Sequence, residues 1–329
     1  MDKAQALQEF YANNRINAAQ AADEYDCSYD PRIAQLPAQI DQWLSHIDEA
    51  DHDLFLNLLS RFSYLNLAQC QIRYKEIVNM LTSQLTNESI DLSEVLFITV
   101  ESSHPYKSGA DNVRADFYFR NIQRISKEQI ITAQTKLDAD TPLAYKAIVF
   151  IDDIVGSGCT LFSEIHTFFN RFPLTKKWNP QLYYACIVPF KKGLDYIQHK
   201  CKNAQIPISP LYNRDWCANQ AFKTKSNDYL KAYKYEDAIG NTGMTAPESF
   251  FMGFCQNKLL VSFYYNTPNN TLSTFWRVVE NVNAPPFPRD GNQPAPRPSV
   301  KDLQKVKQQS RQNAYAFGAI KAMKGCHHE

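Results

Sequence analysis

The stretch from Ala147 to Phe172 constrains this chain more than any other. Ala147 to Ile151 (A-I-V-F-I) is a short, continuous apolar run, the pattern of a central parallel strand covered by helices on both faces. Two acids, Asp152 and Asp153, follow where that strand is expected to run out, and Gly156, Ser157 and Gly158 then turn the chain. Leu161, Phe162, Ile165, Phe168, Phe169 and Phe172 recur at helical spacing, which predicts an amphipathic helix. In an open α/β sheet, ligands bind beyond the carboxyl ends of the strands. A helix N-terminus reached through glycines offers unpaired N–H groups and a favourable dipole to an anion. The hydroxyls of Ser157 and Thr160 add donors, whereas carboxylates at Asp152 and Asp153 repel phosphate but accept from sugar hydroxyls or hold hydrated Mg²⁺. The plain alternative is a strand that ends in a capped turn with two solvated acids. A Walker A loop does not fit, because no Gly-Lys-Ser/Thr occurs here.

Residues 147–160 resemble the phosphoribosyl pyrophosphate (PRPP) loop of type I phosphoribosyltransferases, with Gly156 where that family often has a hydroxyl residue. The resemblance implies that Asp152 and Asp153 face ribose hydroxyls and hold Mg²⁺, directly or through water. It implies that Gly156, Ser157, Gly158, Cys159 and Thr160 wrap the 5′-phosphate. Val95 to Val100 (V-L-F-I-T-V) is a further buried-strand candidate. In the same family the loop after the first core strand holds pyrophosphate, which points to Lys107, Ser108 and Gly109. A departing pyrophosphate needs cationic or N–H partners, and Lys107 with Arg114 supplies charge; a solvated connecting loop is the alternative reading. His104, beside Pro105, is read as a surface residue rather than a catalytic one.

Ser126 and Gln129 have the spacing of a capping box and predict a helix start. Because the interval from Asp111 to Tyr145 must hold that helix, it leaves little room for the mobile hood of catalytic phosphoribosyltransferases, which argues against efficient transfer chemistry. Leu182 to Val188 predicts another strand and Gly193 to Lys200 a short helix. Ile206 to Tyr212, with Pro207 and Pro210, predicts an edge strand. Tyr212 and Trp216, together with Asn269 and Asn270, are the candidates for a base pocket, since aromatics stack on bases and amides read them; packing of a loop is the alternative. Leu259 to Tyr265 reads as a last strand, and Asn270 or Thr271 is expected to cap a following helix. The string Asn266-Thr267-Pro268-Asn269-Asn270-Thr271-Leu272, with Phe275 and Trp276, is similar to the late motif of the PRTase-like (PRTase-CE) domains of bacterial conflict and anti-phage systems.

Four apolar stripes before residue 90 predict helices. The expected architecture is α/β, a parallel sheet of type I phosphoribosyltransferase-like form with an added N-terminal helical layer and a C-terminal helical tail. Its expected bounds are 1–65 for the helical layer, 66–283 for the α/β domain and 284–329 for a proline-rich linker and basic tail. The tail, with Lys301, Lys305, Lys307, Arg311, Lys321 and Lys324, suits contact with phosphates or an acidic protein, or an ordinary solvated helix. The N-terminal helices are a second possible docking surface.

The net charge of +1 selects neither for nor against nucleic acid. Eight cysteines without a C-x-x-C pair predict reduced thiols. With no signal-peptide-like apolar run and no run of membrane-spanning length, a cytoplasmic protein of bacterial type is expected. Three functions remain open at this stage. The first is an enzyme or effector that binds PRPP or a related phosphoribosyl or nucleotide ligand with Mg²⁺ in anti-phage defence. The second is a non-catalytic nucleotide-sensing or regulatory subunit with a protein or nucleic-acid partner. The third is a nucleobase salvage phosphoribosyltransferase.

Overall fold

A computed structural model describes residues 1–100, 109–121, 123–132, 135, 137–138, 140–223, 225–240 and 250–289. Lys107, Ser108, His104 and the basic tail lie outside the described residues.

Strict alternation builds the centre of the molecule. In the strand Val95–Thr99, Val95 and Phe97 enter one apolar cluster while Leu96 and Ile98 enter another. In Ala147–Val155, Ala147, Val149 and Ile151 likewise part from Ile148 and Phe150, as successive side chains on a strand must. Both faces are therefore buried, and both must be covered by helices.

The elements, in chain order, begin with helices α1 (Lys3–Asn13), α2 (Ala18–Ala22), α3 (Pro31–Leu44) and α4 (His52–Ser60), then β1 (Ser63–Leu65) and α5 (Leu67–Asn87). There follow β2 (Val95–Thr99), α6 (Gly109–Asn121), β3 (Ile130–Thr132), β4 (Ala147–Val155), α7 (Cys159–Arg171), β5 (Gln181–Pro189) and α8 (Lys191–Asn203). The last are β6 (Ile208–Leu211), α9 (Asn227–Gly240) and β7 (Val261–Phe263).

Five strands form one wholly parallel sheet in the order β3-β2-β4-β5-β6. In order of appearance this is second, first, third, fourth, fifth, so the winding reverses between β2 and β4. Helices α5 and α6 cover one face through Tyr74, Ile77, Val78, Leu81, Val113 and Phe117. The other face is covered by Leu161, Ile165 and Phe168 of α7 and by Leu194 and Ile197 of α8. Edge strand β6 carries Pro210, where a missing N–H is tolerated.

A second, two-stranded parallel sheet pairs β1 with β7, Tyr64 opposite Ser262. Around it, α1, α3 and α4 share a core with α9 and with residues 250–287. Trp43 packs on Phe275 at 4.8 Å and Phe62 stacks on Phe287 at 4.8 Å. The Arg32 guanidinium of α3 donates to the carbonyls of Phe263 and Pro288 and to the Thr267 hydroxyl. The N-terminal helices and residues 250–289 are thus one packed body.

Several sequence-based expectations need correction. Strand β4 does not stop at Ile151 but runs to Val155, because β5 continues to pair with it as far as Pro189. The Ser126 capping box exists, yet it opens only a 3₁₀ turn over Lys127–Gln129 before β3; the helix of that interval is α6, which precedes it. The segment Leu259–Tyr265 contributes β7 to the small sheet, not to the large one. Among the described residues no α-helix follows Thr271, whose hydroxyl bonds the Val261 carbonyl, and only a 3₁₀ turn at Ser273–Phe275 is formed. Residues 285–287, expected to open a linker, are buried, Phe287 completely.

Candidate functional site

The last pairing of β2 with β4 joins Thr99 to Ile151, and the Val100 N–H then bonds the Ile151 carbonyl at 2.9 Å. From Asp152 onward, among the described residues, β4 pairs only with β5. Both acids therefore lie at the carboxyl end of β2, at the point where the sheet reverses, which is where open α/β sheets bind ligands. The carboxylate of Asp152 accepts from the Asp153 N–H at 2.9 Å. That of Asp153 accepts from the Tyr265 hydroxyl at 2.6 Å.

The turn after β4 is held by three close backbone approaches. Gly158 caps α7 with φ +79°, a left-handed conformation that disfavours a Cβ. A Cβ on Gly158 would also stand 2.6 Å from the Gly193 carbonyl oxygen, and one on Gly193 would stand 2.3 Å from that of Gly156. A Cβ on Gly156 would meet the Asn270 Oδ1 at 2.3 Å. A side chain at position 156 therefore has no room, because the Asn270 amide occupies the space. The Ser157 hydroxyl accepts from the Cys159 N–H at 3.3 Å, and α7 begins with the Phe162 N–H on the Gly158 carbonyl. Cys159 is exposed, and Ser157 and Thr160 are partly so. The loop consequently presents the first turn of a 13-residue helix beside two carboxylates, an arrangement that accepts an anion at one end and hydroxyls at the other.

A model of the PRTase-CE family matches residues 40–289, most of the chain, from within α3 to the buried segment after β7. The chain belongs to the PRTase-CE family. No curated protein and no solved structure matches it.

The PRTase-CE domain of this chain is phosphoribosyltransferase-like, and it wraps its late motif onto the crevice. After β7, Tyr264 and Tyr265 stand edge to face at 4.9 Å, and Tyr265 stacks on Phe263. The Tyr264 hydroxyl donates to Asp116 of α6 at 3.0 Å. Burial pushes the Asp116 carboxyl up to about 6, against the opposing effect of that hydrogen bond. Burial, reinforced by the charge of Asp153, holds the Tyr265 phenol well above its ordinary value and keeps it a donor. The Tyr74 hydroxyl is buried near these groups and has no hydrogen-bond partner among the described residues. Sequence reasoning missed Tyr264, Tyr265, Asp116 and Gly193. A Tyr-Tyr pair at a strand end looks like ordinary packing, and no local signal joins Asp116 to a residue 148 positions away.

Of the four base-pocket candidates, Asn269 and Asn270 sit together at Phe254, while Tyr212 and Trp216 pack in different apolar clusters. Asn270 lies on Gly156 and donates to the Phe254 carbonyl at 3.3 Å. Asn269 accepts the Phe254 N–H through its backbone. Tyr212 packs against the α7/α8 cluster. Trp216 packs against the α5/α6 cluster, under the Arg73 guanidinium at 5.1 Å, in a small cleft of about 150 Å³ with Asp215 and Val188. Of the pyrophosphate-loop candidates, Gly109 begins α6. Among the described residues, no group of three or more His, Cys, Asp or Glu side chains converges as a metal cage, and no helix is long and apolar enough to cross a membrane. Asp152 and Asp153 are successive residues of β4 and leave the strand on opposite faces; either one alone could offer an oxygen to Mg²⁺, which commonly keeps its waters and takes one or two protein oxygens plus those of a phosphorylated ligand.

Proposed function

We propose that this PRTase-CE domain binds PRPP or a related phosphoribosyl or nucleotide ligand with Mg²⁺, and that it serves as an effector in bacterial anti-phage defence. The observation that carries the binding reading is the pair Asp152 and Asp153 at the reversal point of the sheet, beside a glycine-pinned helix N-terminus. The N–H groups of the first turn of α7 and the hydroxyls of Ser157 and Thr160 would hold the 5′-phosphate. Asp152 and Asp153 would accept from the ribose hydroxyls and carry the Mg²⁺ waters. When bound, Mg²⁺ would neutralise charge on the ligand's pyrophosphate. In the transferase form of this reading, the protein orients the pentose and supplies donors to the leaving group instead of a nucleophile of its own.

The hydrogen bond from Tyr265 to Asp153 supports a second reading, a non-catalytic sensor or regulatory subunit. A ribose hydroxyl arriving at Asp153 competes with Tyr265, so occupancy is felt by β7 and the C-terminal segment packed on it. Pyrophosphate release separates the two. Turnover with PRPP and a panel of bases and nucleotides supports the enzyme, and binding without release supports the sensor. For defence, cells expressing the protein with its native partners should resist phage, and Asp152→Asn/Asp153→Asn should abolish resistance; full resistance in the double variant would contradict a role for this site.

A further inference from the structure

The phosphate-facing loop meets a turn from a distant part of the chain, and each side carries an exposed cysteine. Cys159 is the first residue of α7, and Cys255 is the middle residue of the turn Phe254–Gln256, held at φ 56°. The Asn270 side chain lies against the Gly156 α-carbon and donates to the Phe254 carbonyl. The Lys192 ammonium donates to the Cys255 carbonyl at 2.9 Å, one residue before the Gly193 that stacks on Gly156. Loop, turn and the start of α8 are therefore clamped together. Within that clamp the Cys159 and Cys255 side chains are close neighbours, with Ser157 beside both and Tyr196 beside Cys159.

We propose that Cys159 and Cys255 form a reversible disulfide that ties the phosphate-facing loop to the 254–256 turn and lowers ligand affinity. The effect on affinity rests on the function proposed above; the cross-link itself does not. The neighbouring Cys255 side chain, with help from Ser157, Tyr196 and the charge of Lys200, draws the Cys159 thiol well below its ordinary value, so Cys159 is the attacking thiolate. Cys255, pushed up by the same partnership, keeps its proton and resolves the intermediate.

The oxidant is a hydroperoxide. The Cys159 thiolate attacks its terminal oxygen, the O–O bond breaks, and hydroxide or alkoxide leaves with the electron pair. The resulting sulfenic acid is attacked at sulfur by Cys255, the S–O bond breaks, and that oxygen departs as water with the Cys255 proton. Two thiols are oxidised by two electrons and one peroxide is reduced. A dithiol reverses the step by exchange. Cys70, Cys186 and Cys201 are buried and shielded, while Cys27 and Cys217 are exposed and serve as controls.

The test treats the full chain with a slight excess of hydrogen peroxide and maps cross-linked peptides by non-reducing mass spectrometry. A Cys159–Cys255 peptide is expected, lost with dithiothreitol and in Cys255→Ser, and retained in Cys27→Ser and Cys217→Ser. Cys159 advancing to sulfinic acid without a cross-link, or cross-links spread among the exposed cysteines, would overturn the proposal. Calorimetric titration of PRPP with Mg²⁺ then compares reduced, oxidised and oxidised Cys255→Ser protein. Oxidation is expected to weaken binding by about tenfold or more in the wild type only; equal affinity of reduced and cross-linked protein would refute the switch. A cross-link in a protein that never binds PRPP supports the pair as a modification site and removes the PRPP reading. Binding without any cross-link does the reverse.

Discussion

Gly156→Ala tests whether the late motif and the loop are built against each other. The added Cβ would lie 2.3 Å from Asn270 Oδ1, 2.4 Å from its Cγ and 2.8 Å from its Nδ2, roughly an ångström inside ordinary contact distance. The Asn270 backbone has little freedom to retreat. Its carbonyl accepts from the Leu259 N–H at 3.1 Å, and Gly253 presses on the same carbonyl. The side chain must therefore rotate, which costs about 0.5–1.5 kcal/mol if it leaves a rotamer well. It also gives up the bond to the Phe254 carbonyl, worth about 0.5–1.5 kcal/mol. The expected loss is about 1–3 kcal/mol in urea denaturation, with weakened ligand binding because the loop shifts. In a double-mutant cycle, Asn270→Ala removes the clash, so Gly156→Ala should cost less in that background, with a coupling of about 1 kcal/mol or more. Additive losses would refute the argument.

Two further predictions concern the body that supports the site. Glu236 of α9 is fully buried and accepts from the N–H groups of Met252, Ser273 and Thr274 and from the Thr274 hydroxyl; Glu236→Gln turns an amide N–H₂ toward two of those donors. A loss of about 3 kcal/mol or more is expected in urea denaturation, and a change near zero would contradict the role of Glu236 as a common acceptor. Asp116 titrates at about 6 in the folded protein against an ordinary 3.8. Because that value is raised, its contribution to stability is full below the ordinary value and is lost as pH rises through about 6. Asp116→Asn should therefore raise the urea midpoint relative to wild type near pH 7.5 and lose most of that advantage near pH 4; the opposite trend would contradict the cause assigned to the shift.

The large sheet was legible because its signals are local. Ala147–Ile151 and Val95–Ile98 are continuous apolar runs, and the Leu161–Phe172 stripe gives the helix its apolar face. The glycine turn was legible too, since Gly158 does adopt a left-handed conformation. The exact end of β4 was not, because its last residues are strand only through pairing with β5. The β1–β7 sheet was hidden for the same reason: two three-residue strands separated by most of the chain have no periodicity of their own. Ser126 and Gln129 formed the predicted capping box, yet β3 begins directly after a single turn, so the box reports a local start and not a helix length. Asn270 was singled out as a base reader, but its contact with Gly156 depends on tertiary packing that neither segment encodes alone.

The central claim is that Asp152 and Asp153, with the first turn of α7, hold a phosphorylated pentose. Isothermal titration of PRPP with Mg²⁺ into the wild type and into Asp152→Asn/Asp153→Asn tests it most directly. The account predicts saturable binding that the double variant loses while its urea denaturation profile stays cooperative. Undiminished affinity in a folded double variant, or no binding by the reduced wild type, would contradict it.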